Sequence, residues 1–129
     1  MTMMHRIAVY ALTRPAAELA ARLAEALNRA QGTGNPERGT GNADIYLPAA
    51  LAQELGGYGF SRLRDLLDET FQRYAGHVFL TAAGIAVRGI APLLRGKDRD
   101  PAVVVLDQRV EFAVSLLSGR LGVGIGLAW

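Results

Sequence analysis

Residues 77–117 read HVFLTAAGIAVRGIAPLLRGKDRDPAVVVLDQRVEFAVSLL. Three short apolar runs in it, His77–Thr81, Pro101–Asp107 and Val110–Leu117, have the length of strands. β-Branched valines fill the centre of the second, as expected of a strand covered on both faces. Between the first two runs, AAGIAVRGIAPLLRGK is long enough for a helix, with Pro92 placed to break or kink it. Between the second and third stand only Gln108 and Arg109. So short a connection closes a hairpin and cannot carry a parallel crossover. The stretch therefore reads as strand, helix, strand and antiparallel return.

Moving toward the N-terminus, the same alternation continues. Ile7–Leu12, IAVYAL, is another continuous apolar run, and Pro15 follows it in the first turn of a helix, where its missing N–H is harmless. Leu19, Leu23 and Leu27 then recur every fourth residue, while Glu18 with Arg22 and Glu25 with Arg29 form i,i+4 pairs of favourable polarity. The segment QGTGNPERGTGN repeats Gly-Thr-Gly-Asn at 32–35 and 39–42 and reads as a solvated loop. It lacks the Gly-Lys-Ser/Thr ending and the following helix of a phosphate-binding loop. Ala43–Pro48 is a second strand. Ser61 is placed to cap RLRDLLDETFQRY, in which Leu63, Leu66, Leu67, Thr70, Phe71 and Tyr74 mark one buried helical face.

These elements predict one α/β domain over residues 1–129. Its sheet is mostly parallel and flanked by helices in a Rossmann- or flavodoxin-like three-layer arrangement, with a C-terminal antiparallel hairpin at one edge. A chain of 129 residues, half of them hydrophobic, has enough material for one such core. The net charge of +2 comes from 14 basic and 12 acidic residues that are interspersed, so nucleic acid is not the expected partner. The longest apolar runs fall far short of a membrane span, and the N-terminal stretch lacks a cleavage pattern, so neither a membrane partner nor a signal peptide is expected. With no cysteine there is no disulfide framework or thiolate metal site, in keeping with a cytoplasmic location.

In sheets of this kind ligands bind beyond the carboxyl ends of the strands. Here those ends are Thr13, Thr81 to Gly84, and Asp107. The turn LTAAG leads from strand to helix through small residues, which leaves helix N–H groups open to an anion, and Arg88 is one turn on to meet a carboxylate. The plainer alternative is that Gly84 permits close packing and Arg88 is a solvated charge. His77 reads as a structural or surface residue at the start of a strand, at the end opposite the expected site. His5 falls in a fraying terminus. With only two histidines, neither a multi-histidine metal site nor a Ser-His-Asp relay has its parts, and no metal ligand is nominated. Asp98 and Asp100 in GKDRDP read as a turn with a solvated face. Asp107 is either an acidic turn residue or something more.

The order of residues carries a further signal. ALT after the first strand, DIYLP, and above all Gly84–Gly122 resemble the N-terminal region of the cobalt-precorrin-5A hydrolase family, the cobalamin biosynthesis protein CbiG. The resemblance runs from about Arg6 to Gly122. It is densest at Gly84, Val87, Arg88, Ile90 to Leu94, Asp100, Pro101, Asp107, Ser115 to Gly119, Leu121 and Gly122.

The resemblance implies a role in the anaerobic route to vitamin B12. The family opens the ring A δ-lactone of cobalt-precorrin-5A and releases acetaldehyde, giving cobalt-precorrin-5B. It uses no cofactor, because the cobalt is carried by the substrate. The implied partners are this anionic cobalt-tetrapyrrole and a separate C-terminal hydrolase domain, since the family's linker and C-terminal domain have no counterpart in these residues. Chemistry then nominates Thr81, Gly84, Arg88, Gly119 and Arg120 to hold the substrate's carboxylates. Asp107 is nominated to orient water, and Ser115 or Ser118 to donate to the developing oxyanion.

One departure bears on activity. Where the family reads serine-glycine-histidine-leucine-glycine-glycine-alanine-asparagine, this chain reads SGRLGVGI, so Arg120 replaces a histidine and Ile125 an asparagine. An arginine stays charged near neutral pH and cannot act as a general base. Two functional classes therefore stay open: part of a hydrolase, and a non-catalytic module that binds a tetrapyrrole or a partner. A third, nucleotide binding on the strength of the terminal glycines, fails because only three residues follow Gly126, too few to begin the helix such a loop must open.

Overall fold

The computed structural model of the chain describes residues 3–30, 43–96, 98–107 and 113–118. In chain order the elements are β1 (Met3–Ala11), α1 (Arg14–Ala30), β2 (Ala43–Pro48), α2 (Ala49–Leu55), β3 (Tyr58–Phe60), α3 (Leu63–Thr70), β4 (Tyr74–Leu80), α4 (Ala83–Ile90), a 3-10 turn (Ala91–Leu93), β5 (Ala102–Leu106) and β6 (Ala113–Ser118). The strands form one six-stranded sheet in the order β3-β2-β1-β4-β5-β6. All neighbours are parallel except β5 and β6, which are antiparallel.

Side-chain alternation along the central strands fixes the layers. Ile7, Val9 and Ala11 of β1 join Val78, Leu80, Val104 and Leu106 on one face, against Ala16, Ala20 and Leu27 of α1. Ala8 and Tyr10 join Phe79, Val103 and Val105 on the other, against Leu67 of α3 and Ala86 and Ile90 of α4. Because both faces are covered, β5 and the Val78–Leu80 end of β4 are continuous apolar runs. The expected three-layer α/β architecture with an antiparallel edge is thus the one observed.

Details differ from the sequence reading for identifiable reasons. The segment AALAQELGGYGF holds an unforeseen helix and strand, α2 and β3. α2 buries no residue and β3 is three residues long, so neither carries a strong period. Ser61 does not cap α3; Arg62 occupies that position, with no side-chain cap. β4 begins at Tyr74, so His77 is a mid-strand residue and is fully buried. Asp100 is not on a solvated face: it is 6% exposed, and its carboxylate accepts N–H groups of Arg95 (3.0 and 3.1 Å) and Gly96 (3.1 Å) and the Gln72 amide (3.3 Å). It ties the loop before β5 together. The N-terminal part of the expected fifth strand, residues 110–112, lies outside the described residues.

Candidate functional site

The strand order reverses direction at β1, which has β2 on one side and β4 on the other. Ligand crevices in open α/β sheets form at such a reversal, beyond the carboxyl ends of the two central strands. The register Ala11↔Leu80 puts Thr13 and Thr81 just past those ends. From there α1 and α4 leave onto opposite faces, so two helix N-termini border the same opening.

The two termini are treated differently. The Thr13 hydroxyl accepts the N–H of Ala16 at 3.3 Å, and the Thr13 carbonyl accepts that of Ala17 at 2.8 Å, so α1 is capped. α4 has Ala82 in the capping position and no side-chain cap. Thr81 does not help, since its hydroxyl donates to the Ala82 carbonyl at 3.0 Å. Ile85 and Ala86 bond back to the Ala82 carbonyl, which leaves the N–H groups of Ala83 and Gly84 without a protein acceptor among the described residues. These point where an anion would be favoured.

Gly84 is part of this opening for a reason the packing makes clear. A Cβ there would meet nothing within 4 Å, and its backbone is not in the left-handed region. The fold does not require glycine at this position, contrary to the close-packing alternative. The close-packed glycine is Gly89, where an added Cβ would lie 2.7 Å from the Leu67 Cδ1 on α3. Gly84 and Arg88 are i,i+4 neighbours on the exposed side of α4, so the guanidinium stands one turn above a bare first turn. Arg88 forms no ion pair among the described residues. Ile85 and Val87 on the same helix are 38% and 46% exposed, an apolar flank beside the donors.

The other nominated residues are not drawn together. Asp107 follows the last residue of β5 and is half-buried, near the carboxyl end of the sheet. The antiparallel register Leu106↔Ala113, Val104↔Ser115 and Ala102↔Ser118 carries β6 away from that end. At about 3.3 Å per residue, Ser118 lies roughly 15 Å from Asp107 along the sheet. Ser115 is mid-strand and exposed, and its hydroxyl donates to the Leu117 carbonyl at 3.5 Å. Asp107 with Ser118 therefore cannot share one reacting group, whereas Thr81, Gly84 and Arg88 belong to a single strand-to-helix unit. Gly119 and Arg120 lie outside the described residues.

Sequence reasoning missed a polar and aromatic array on the α3/α4 side of the sheet. The Tyr10 hydroxyl lies 2.8 Å from both the Thr70 hydroxyl and the His77 Nδ1, and the His77 Nε2 donates to the Phe71 carbonyl at 2.9 Å. Nearer the edge, the Tyr74 hydroxyl lies 2.7 Å from the Tyr46 hydroxyl and donates to the Asp44 carboxylate at 2.6 Å, while Arg6 clasps that carboxylate through Nη2 and Nε. Burial pushes the Tyr10, Tyr46 and Tyr74 phenols up, Tyr74 further so because it donates to Asp44; the bond to Asp44 holds the Arg6 guanidinium above its usual range. No sequence spacing announces this array, which joins residues far apart in the chain.

Among the described residues there is no group of three or more His, Asp or Glu side chains able to hold a metal, and no helix long and apolar enough to cross a membrane.

Comparison with known proteins places these features in a family. The family model described as "Cobalamin synthesis G N-terminal" matches residues 65–129, from α3 onward and including the whole β4–α4–β5 unit. A cobalt-precorrin-5A hydrolase of Priestia megaterium is 45% identical over 60 residues, which are 46% of this chain and 16% of that protein. One from Salmonella typhimurium is 50% identical over 54 residues, 42% of this chain and 15% of that protein. The matched segments are thus about a sixth of the length of these relatives. The crystal structure of a cobalamin biosynthesis protein G homolog from Sulfolobus solfataricus has the same fold, with a TM-score of 0.65 and 18% identity, covering 92% of this chain and 31% of that one.

Proposed function

The chain belongs to the cobalamin synthesis G N-terminal family, and from that premise we propose that it serves as the N-terminal domain of a cobalt-precorrin-5A hydrolase. In this reading it binds an anionic cobalt-tetrapyrrole at the carboxyl end of its sheet. The observation that carries the reading is that the family match covers the β4–α4–β5 unit, and this unit supplies the uncapped helix terminus. Peripheral acetates of the macrocycle are matched by the N–H groups of Ala83 and Gly84 and by the Arg88 guanidinium. Its apolar edge is matched by Ile85 and Val87. Thr81 lines the approach, while Gly119 and Arg120 are carried as substrate contacts on sequence alone.

The proposed reaction is opening of the ring A δ-lactone by water, with release of acetaldehyde and formation of cobalt-precorrin-5B. Asp107, close to the same end of the sheet, is the residue suited to orient that water. Ser115 stands nearer to it than Ser118, but opposite Val104 it is still about 10 Å away along the sheet, so neither serine is assigned as the donor to the oxyanion. The substrate brings the cobalt, and no further cofactor enters. We assign the work to the cytoplasm.

The test is acetaldehyde release from cobalt-precorrin-5A, measured with this protein alone and with the remaining segment of a family hydrolase supplied in trans. Release in either mixture supports the hydrolase reading. Absence of release in both, with the substrate still bound, leaves the non-catalytic tetrapyrrole-binding module, the reading favoured by Arg120 standing where the family carries histidine.

A further inference from the structure

The centre of the α3/α4 face holds a histidine that the proposed chemistry does not use. His77 is fully buried. Its ring stacks against Tyr10 at 5.6 Å and Phe71 at 5.2 Å and meets Tyr74 edge-on at 5.8 Å. Both ring nitrogens are engaged on uncharged partners. The Phe71 carbonyl only accepts, so Nε2 must carry the hydrogen. In the neutral ring Nδ1 then accepts from the Tyr10 hydroxyl, whose oxygen in turn accepts from Thr70. The three bonds from Thr70 through Tyr10 and His77 to the Phe71 carbonyl thus run in one direction.

We propose that His77 is a proton-operated latch: uptake of a second proton by its ring releases the C-terminal end of α3 from the sheet. A proton on Nδ1 reverses each link. Nδ1 must donate to Tyr10, Tyr10 to Thr70, and Thr70 must find another acceptor. Among the described residues the charged ring is faced by Tyr10 from β1, Thr70 and Phe71 from the end of α3, Val103 from β5 and Tyr74 from its own strand. Asp44 stands behind the Tyr74 hydroxyl, already engaged by Arg6 and Tyr74. A charge in that setting is best relieved by water. The cover that must lift to admit it is the end of α3 and the turn that follows, closed by the Arg73 N–H on the Thr70 carbonyl at 2.9 Å.

Release would travel to α4. Leu67 of α3 packs against the bare Cα of Gly89, so α4 loses its lateral support when α3 lifts. The N-terminus of α4 is the anion site of the function proposed above, and only this last consequence rests on that reading. In acid the site would loosen and bind its ligand less well.

The experiment uses the free protein, so it can succeed or fail independently of any ligand. Amide hydrogen exchange of α1, α3 and α4 is followed from pH 7.5 to pH 5, corrected for intrinsic exchange, alongside the ring nitrogen shifts of His77. The expected result is that opening of the last turn of α3 and of α4 rises about tenfold per pH unit below roughly 6.5, where an exposed histidine takes up its proton, while α1 is unchanged. His77→Gln should abolish that dependence. The proposal is overturned if α3 and α4 show no acid dependence in the wild type, if the dependence survives in H77Q, or if α1 opens in parallel. Should H77Q not fold, the wild-type comparison of α3 with α1 decides alone.

Discussion

Gly89 on α4 faces Leu67 on α3 so closely that a methyl group added to the glycine would lie 2.7 Å from the leucine Cδ1. Leu67 is itself fully buried and has little room to yield. Gly89→Ala should therefore lower stability by about 1–3 kcal/mol through overpacking, partly offset by the better helix propensity of alanine. Urea unfolding at neutral pH measures the change.

Gly84→Ala is expected to have the opposite sign. Nothing crowds the added Cβ, and replacing glycine in a helix contributes about 0.5–1 kcal/mol. The same methyl would cover the open N–H groups of the first turn. The pair to measure is therefore a higher midpoint in urea and a weaker affinity for cobalt-precorrin-5A. A gain in stability with unchanged affinity would remove Gly84 from the site.

Arg88→Ala should leave stability within about 0.5 kcal/mol, because the side chain is exposed and unpaired among the described residues. Loss of a charge-assisted contact to a substrate carboxylate should weaken binding about tenfold or more. Titration with cobalt-precorrin-5A reads this directly, and equal affinity for the two proteins would place the carboxylate contact elsewhere.

Asp100→Asn puts an amide nitrogen against backbone N–H groups that now find a carboxylate. The loop from Arg95 to Asp100 loses an acceptor at a buried site, at a cost of about 1–3 kcal/mol. Thermal melting should show it, with local amide exchange faster at Arg95 and Gly96 than in α1.

The buried phenols predict the alkaline limb of stability. Tyr10 and Tyr74 hold their protons more tightly folded than unfolded, chiefly through burial. A group raised in this way contributes stability that is complete below the unfolded value near 10 and is lost as pH rises beyond it. Stability should be flat from neutral pH to about 10 and then fall by up to about 1.4 kcal/mol per pH unit per buried phenol. Ionisation of these residues, followed by tyrosinate absorbance, should coincide with unfolding.

Much of the fold was legible because its strongest elements have clear periods, the leucines of α1 and the valines of β5, and because too few residues separate β5 from β6 for a parallel crossover. α2 and β3 were not, since a helix with no buried face and a three-residue strand leave no pattern. The site was legible in part. LTAAG announced an open strand-to-helix turn, but only the packing in three dimensions separates an unneeded glycine at 84 from a needed one at 89. The separation of Ser118 from Asp107 was within reach of the sequence: an antiparallel strand carries each later residue further from the end where it began. The pairing of Tyr10, Tyr46 and Tyr74 was not, because it depends on strand neighbours that are distant in the chain.

Phe79, Tyr10, Tyr46 and Tyr58 stand in sequence across β4, β1, β2 and β3, with ring centroids 4.7, 5.5 and 5.4 Å apart, and Tyr74 meets Tyr46 edge-on at 6.2 Å. All four tyrosines of the chain belong to this array, and its single tryptophan is Trp129, outside the described residues. The protein thus carries a built-in optical gauge of sheet assembly. Tyrosine ellipticity in the near ultraviolet reaches its full strength only when these four strands have found one another, so it distinguishes the closed sheet from a collapsed chain that retains helices alone.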